Sequence, residues 1–151
     1  MSFGGYANAG EIPVVRDAME RLITKHPTAV FCCAAGNKAD LHNDPASATK
    51  PVFPAGFGDA SYGPLAAHVV SVGALDSATG SIAAFSGRGP WVKAWTWGAG
   101  VASEYVAGDW TTAGFPPESF VGSTIPLVEP KAIWSGTSFA TPRVAACVAE
   151  L

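Results

Sequence analysis

Two short apolar runs constrain the fold of this chain more than any other feature of its sequence. They occupy residues 28–34 and 68–75, and neither alternates strictly between apolar and polar side chains. Such runs are typical of strands that are covered on both faces, as in parallel sheets. Both are much shorter than the ~20 residues that a membrane helix requires, so we expect no membrane span.

Helices are predicted beside these strands. Residues 11–25 form the first, because Val14, Ala18 and Leu22 recur at intervals of four and would make its buried face. A second helix is predicted at 138–151, with its apolar stripe beginning at Ala140 and Val144. Helices that alternate with buried strands predict an α/β fold with three layers, in which helices flank a mainly parallel sheet.

The remaining predicted elements are short strands and long loops. We expect strands at 82–85 and 99–106, and loops at about 38–64 and 107–130, where Gly, Pro, Ser and Asp are frequent. Long loops in compact domains are usually functional or insertions. With 151 residues, the chain fits one domain.

The composition excludes several classes of protein. Hydrophobic residues make up 48 % of the chain and charged residues 14 %, which excludes a disordered protein. The net charge is -3 and no basic stripe occurs, so a nucleic-acid partner is not expected. The three cysteines, Cys32, Cys33 and Cys147, include no Cys-x-x-Cys pair, and we expect buried thiols rather than a metal or redox site.

A serine at the start of the second predicted helix is the strongest candidate for chemistry. Ser138 lies within Gly136–Val144, at the point where unpaired helical N–H groups and the positive end of the helix dipole meet. An oxyanion formed by attack of the Ser138 hydroxyl would be stabilised there. Taken alone, the same serine could be an ordinary helix N-cap.

Four segments together resemble the subtilase family of serine proteases, in the order in which that family carries them. They are Met1–Gly5, similar to Met-Ser-Leu-Gly-Gly; Ala34–Asn37, which reads Ala-Ala-Gly-Asn; 68–90, with a Val-Gly-Ala strand and a turn similar to Ser-Phe-Ser-x-x-Gly-Pro; and Gly136–Val144, which reads Gly-Thr-Ser-x-Ala-x-Pro-x-Val. The resemblance covers nearly the whole chain and implies a subtilisin-like fold.

The resemblance also implies roles for individual residues. Ser138 would be the nucleophile that forms an acyl-enzyme, and Asn37 would hold the oxyanion together with the Ser138 N–H. The extended segment Ser2, Phe3 and Gly4 would flank a bound polypeptide substrate as an added strand. Ala35 and Gly36 would form one wall of the pocket for the residue before the cleaved bond, and their small size suggests a pocket open to sizeable apolar side chains.

The other two members of a catalytic triad are missing from the sequence. Subtilases carry the aspartate in an Asp-(Ser/Thr)-Gly context and the histidine in a His-Gly-Thr context, and neither occurs here. His26, His42 and His68 do not match the catalytic position. The resemblance therefore implies that 1–151 is the C-terminal part of a catalytic domain and an incomplete fold, which we expect to be inactive or barely active alone. The alternative is a non-catalytic peptide-binding pseudoenzyme or fragment.

Related families and accessory features give weaker expectations. The sedolisins place an acidic residue in the oxyanion role, against which Asn37 argues, and no Gly-x-Gly-x-x-Gly turn favours a nucleotide-binding domain. The resemblance makes calcium possible and suggests secretion, although Met1–Gly5 is not a signal peptide. Asp40, Asp44 and Asp59 lack the spacing of a calcium-binding loop. A truncated sheet would expose an apolar edge, so we expect poor solubility.

Overall fold

The computed structural model describes residues 5–6, 13–104 and 131–150. Its strands are β1 (Gly5–Tyr6), β2 (Phe31–Ala34), β3 (Val52–Phe53), β4 (Val69–Asp76), β5 (Ala94–Ala99), β6 (Val101–Glu104) and β7 (Lys131–Trp134). Its α-helices are α1 (Pro13–Lys25), α2 (Pro64–His68) and α3 (Thr137–Ala149), and short 3₁₀ turns lie at Pro45–Ala48, Ala55–Gly58 and Ala60–Tyr62.

A parallel sheet with the order β2-β4-β5 forms the centre of the molecule. Phe31 lies opposite Val69 in the pairing of β2 with β4, and Val72 lies opposite Ala94 in the pairing of β4 with β5. The predicted α/β architecture with a parallel sheet and flanking helices is thereby confirmed. The two apolar runs form neighbouring strands, as their lack of alternation predicts.

The core has two parts, one on each face of this sheet. On one face, Met19 of α1, Phe57 and Leu65 pack against Val69. On the other face, α3 packs against all three strands and buries Ala140. Helices therefore cover both faces of the parallel sheet, which gives the three layers.

Two antiparallel strand pairs complete the described structure. β1 pairs with β3, so that Gly5 lies opposite Phe53, and β6 pairs with β7. The β6–β7 pair leads directly into the turn before α3. The first pair connects Gly5 and Tyr6 to β3, and the second pair precedes α3.

The helices are short. α1 and α3 each have 13 residues. Over the ranges that the structure describes, no helix combines the length and the apolar character that a bilayer crossing requires.

A groove with a volume of about 630 Å³ runs between the outer edge of β2 and α3, and it is called the β2–α3 groove below. Within the described residues, β2 is an edge strand that pairs only with β4. Val30, which lines the groove, is 42 % exposed. The groove is lined by Thr28, Val30, Phe31, Cys32, Thr141, Pro142, Ala145, Val148 and Ala149.

The predicted buried face of α1 is wrong. Val14 is 78 % exposed and Leu22 is 46 % exposed, whereas Met19 is only 2 % exposed. Val15 and Ile23 pack beside Met19, one residue further round the helix from the predicted face. Both stripes repeat at intervals of four, so periodicity does not separate them, and the helix buries the one that carries the long Met19 side chain.

The predicted loop at 38–64 and the predicted strand at 82–85 also need correction. The stretch 52–58 is buried throughout and supplies Phe57 to the core, so that part of the segment is interior structure. Ile82 makes a single bridge to Leu75, and the chain then turns. The described part of the predicted strand at 99–106 belongs to two elements, since β5 ends at Ala99 and β6 spans Val101–Glu104. The predicted loop at 107–130 lies outside the described residues.

Candidate active site

The chain leaves the carboxyl end of β2 in a bend that only glycine fits. The Ala35 N–H donates to the carbonyl oxygen of Val72 at 2.9 Å and extends the strand pairing by one residue. Gly36 then has a φ of +93°, and a Cβ atom added there would lie 2.7 Å from Cγ2 of Val52. The bend turns Asn37 away from the sheet at the edge where ligands of parallel sheets bind.

The side chain of Asn37 is held by the first residue of α3. The Thr137 N–H donates to Oδ1 of Asn37 at 2.8 Å, and the Thr137 hydroxyl donates to the same oxygen at 2.9 Å. Because Oδ1 accepts both bonds, the amide orientation is determined and Nδ2 is the end that donates. Segments 100 residues apart in sequence are joined by these bonds.

Two glycines allow this close approach. The Gly136 N–H donates to the carbonyl oxygen of Gly98 at 2.7 Å. A Cβ atom added at Gly98 would lie 2.9 Å from the Gly136 carbonyl oxygen, and one added at Gly136 would lie 3.0 Å from Nδ2 of Asn37. Side chains at either position would therefore displace α3 or crowd the Asn37 amino group.

Ser138 is the second residue of α3 and is partly exposed. Gly136 is the N-cap residue, and the first turn of α3 contains no acidic side chain. The positive end of the helix dipole is therefore not neutralised by a carboxylate in that turn, and it favours negative charge beside Ser138.

The structure thus brings Asn37 together with the helix terminus that carries Ser138. Gly36 adjoins this terminus, since its N–H donates to the Thr137 hydroxyl at 3.1 Å. Ala35 is fully buried, so Gly36 is the member of the expected pocket wall that has exposed surface. Ser2, Phe3 and Gly4 lie outside the described residues.

The three histidines lie in different parts of the described fold. His26 and His42 are exposed at the end of α1 and in the loop that follows β2. His68 ends α2, and its Nδ1 lies 2.9 Å from the carbonyl oxygen of Ala29.

Two of the carboxylates considered for calcium, Asp40 and Asp59, serve as local turn formers. Asp40 accepts hydrogen bonds from the backbone N–H groups of His42 and Asn43, and those from Asn43 contribute most to lowering the pKa of Asp40. Asp59 accepts from the Ser61 N–H, and hydrogen bonding to Ser61 lowers the pKa of Asp59. Among the described residues, no three His, Cys, Asp or Glu side chains come together as a metal site.

Sequence reasoning overlooked Thr137. It lies within the Gly-Thr-Ser motif, where a hydroxyl residue at a helix start is an ordinary capping signal. Its partners, Gly36 and Asn37, are distant in sequence, so the role of the hydroxyl emerges only from the fold.

Comparison with known proteins decides the family. The family model described as "Subtilase family", of Peptidase S8, matches residues 1–151. The chain belongs to the subtilase family. Among solved structures it is similar to one titled "Crystal Structure of a Lanthipeptide Protease", with a TM-score of 0.61 and 25 % sequence identity. A comparison with curated proteins finds no match.

The match to the lanthipeptide protease covers 96 % of this subtilase chain and 43 % of that protein's chain. The chain therefore spans less than half the length of its structural neighbour. Membership of the family identifies its relatives as serine proteases, which hydrolyse peptide bonds.

Proposed function

We propose that this chain is the part of a serine endopeptidase that supplies the nucleophile and the oxyanion-binding groups. Ser138 is the nucleophile, and Asn37 and the Ser138 N–H are the oxyanion donors. The observation that supports this most directly is the pair of bonds from Thr137 to Asn37, 2.8 Å and 2.9 Å long. They hold the Asn37 amide at the helix terminus from which Ser138 extends.

In this proposal, the Ser138 oxygen attacks the carbonyl carbon of the scissile bond and gives its proton to a base. The carbonyl oxygen becomes negative and accepts hydrogen bonds from Nδ2 of Asn37 and the Ser138 N–H. The tetrahedral intermediate then expels the amine, which takes a proton, and an acyl-enzyme remains on Ser138. Water releases the acid and restores the hydroxyl of Ser138.

The substrate polypeptide binds beside the bend at the end of β2. Ser2, Phe3 and Gly4 are proposed to pair with it as an added strand. They precede β1, whose pairing with β3 brings Gly5 opposite Phe53. Ala35 and Gly36 are proposed to form a wall of the pocket for the residue before the cleaved bond. The exposed surface of Gly36 supports that arrangement.

The base and its acidic partner are proposed to come from a part of the protein outside these residues. The chain contains neither an Asp-(Ser/Thr)-Gly nor a His-Gly-Thr segment. We therefore expect the isolated chain to hydrolyse peptides barely or not at all, since a serine without its base loses most of its reactivity. Secretion and a calcium requirement are further proposals, based on the family alone.

The first experiment is an intact mass and peptide map of the natural product, compared with the coding sequence upstream of Met1. A product that contains the two triad segments is then tested on a chromogenic peptide. Replacement S138A should abolish turnover, and N37A should lower kcat by about 10²–10³-fold. Asn43 is the matched control, because its side chain bonds Asp40 in an exposed loop. Turnover that survives S138A would exclude this function, and a product that begins at Met1 would favour a peptide-binding pseudoenzyme.

A further inference from the structure

The bend that carries Asn37 is bound from a second side by a neighbouring turn, which ends at Gly87. The Gly87 N–H donates to the carbonyl oxygen of Gly36 at 3.1 Å. The Ala39 N–H donates to the carbonyl oxygen of Phe85 at 3.1 Å. These two backbone bonds lie on either side of Asn37 in the sequence, so the turn fixes the path of the chain through this residue.

This turn, residues 83–87, is called the supporting turn below. A Cβ atom added at Gly87 would collide with the carbonyl oxygen of Ala35, so the turn and the bend touch without a gap. The Ser86 hydroxyl is buried and accepts from the Ala74 N–H of β4 at 2.9 Å, which anchors the turn to the sheet. Any change in the shape of the supporting turn would therefore displace the bend.

The guanidinium group of Arg88 binds three carbonyl groups of the supporting turn. Its Nη2 donates to the carbonyl oxygens of Ala83 at 2.9 Å and Ala84 at 3.2 Å. Its Nε donates to the carbonyl oxygen of Ser86 at 3.4 Å. Because a guanidinium group is planar and carries five donors in a fixed arrangement, one side chain can hold several carbonyl groups together. Without it, these carbonyl groups would turn toward water and the turn would change its shape.

We propose that Arg88 is a positioning residue for Asn37, an inference that rests on the proposed function of Asn37. Arg88 holds the supporting turn in the shape in which its backbone binds the bend on both sides of Asn37. The turn fixes the backbone of Asn37, while the bonds from Thr137 hold its side chain. Arg88 thus acts on the proposed oxyanion donor through backbone contacts.

The test uses the natural, catalytically complete product and the variant R88M, which keeps the aliphatic stem and removes the guanidinium group. We expect kcat to fall about tenfold, because a small displacement of a catalytic group is costly. The Michaelis constant should stay within about twofold, because positioning acts on the transition state. R88K keeps the charge but not the planar fork, and it should recover only part of the rate. R21M is the matched control and should keep the wild-type rate, because Arg21 pairs with Asp17 on the exposed side of α1.

A double-mutant cycle separates positioning from a role in stability alone. In the N37A background, R88M should cost less than about twofold in kcat, because the group that Arg88 positions is absent. An equal loss in both backgrounds would overturn the proposal. A lower melting temperature of R88M with a wild-type kcat would also overturn it, since Arg88 would then serve stability only. If R88M does not fold, R88K takes its place in the same cycle.

A second arm does not depend on activity. A natural product without any peptidase activity would reject the proposed function, and spectroscopy then tests the positioning role by itself. In protein labelled with ¹⁵N-asparagine, the signals of Asn37 are identified by their absence from N37A. R88M should shift or broaden them and leave the side-chain pair of Asn43 unchanged, because that side chain bonds Asp40 in an exposed loop. Asn37 signals that are identical in the wild type and R88M would overturn the positioning role, whether or not the protein is active.

Discussion

The interior position of Cys33 changes the pKa of its thiol. Cys33 lies in β2 at 0 % exposure within the larger part of the core. Burial raises the pKa of Cys33 from 9.0 to about 11, because the thiolate would lose its hydration there. Cys32 is also buried, as expected, but Cys147 is exposed on α3, which corrects the expectation of three buried thiols.

This shift predicts a loss of stability at high pH. Because the folded pKa is raised, the contribution of Cys33 is complete below pH 9 and declines as the pH rises toward about 11. The free energy of unfolding should fall in this window by up to about 1.4 kcal/mol per pH unit through this group. Urea titrations of the wild type and C33A over this pH range measure the free energy of unfolding of each protein. The difference in free energy between the two proteins should decrease as the pH rises. A difference that does not change with pH would contradict the prediction.

Gly36 is the residue whose backbone shapes the bend before Asn37. Replacement by alanine should cost about 1–3 kcal/mol, since φ is +93° and the new methyl group would meet Val52. Gly5 is the control, because it is exposed, its φ lies outside the left-handed region and an added Cβ finds nothing within 4 Å. Alanine there should change stability by less than about 0.5 kcal/mol. Thermal unfolding of G36A and G5A tests the difference, and equal melting temperatures would refute it.

Among the elements, α1 was predicted correctly in its C-terminal end but not in its buried face. Its existence and its C-terminal end at Lys25 agree with the prediction, because Pro27 follows and the apolar residues repeat at intervals of four. Its buried face does not agree, because two apolar stripes lie side by side and only the packing partner selects one. Met19 reaches the core, whereas Val14 faces outward.

Alanine substitution on the two stripes tests this assignment. M19A should destabilise the chain by about 2–5 kcal/mol, because it leaves a cavity beside Phe57 and Leu65. V14A removes a side chain that is 78 % exposed and should change stability by less than about 0.5 kcal/mol. Chemical denaturation of the two variants gives both values. A larger loss for V14A than for M19A would restore the face that the sequence predicts.

The sheet was predictable from sequence where its strands are covered on both faces, and not elsewhere. β2 and β4 are continuous apolar runs, whereas β5 contains glycine and two tryptophans and was not recognised before Ala99. Trp95 of β5 packs over Gly73 of β4, and a side chain at Gly73 would collide with it. The large Trp95 side chain fits over the glycine of the neighbouring strand, which explains how β5 joins the sheet. No local sequence pattern predicts this contact.

At the scale of the whole molecule, the sequence identified the candidate site through motifs and missed the contacts that assemble it. Asn37 and Ser138 were predicted as site residues from the family resemblance alone. In the fold, hydrogen bonds from Thr137 to Asn37 bring their two segments together. The partners are 100 residues apart, a separation that periodicity and propensity cannot bridge. The roles of Ser2, Phe3 and Gly4 remain predictions.

The β2–α3 groove predicts the solution behaviour of the isolated chain. Among the described residues β2 has one unpaired edge, and such an edge beside an apolar groove favours association between copies. We expect molecular mass measured by light scattering to rise with concentration and V30K to reduce the rise, since Val30 lines the groove. Ile133 is a matched control, because it is 47 % exposed but lies on β7. A sharp, cooperative melt of a wild-type monomer at all concentrations would contradict the prediction.

The distance in sequence between Asn37 and Thr137 also sets the order of events during synthesis. The ribosome makes Asn37, next to the bend at Gly36, 100 residues before Thr137, the first residue of α3. Contacts between such distant residues form late in folding, because a long loop must close first. A nascent chain therefore carries the amide of Asn37 without the helix that orients it. The proposed catalytic groups of the growing polypeptide are therefore not assembled until α3 has been made.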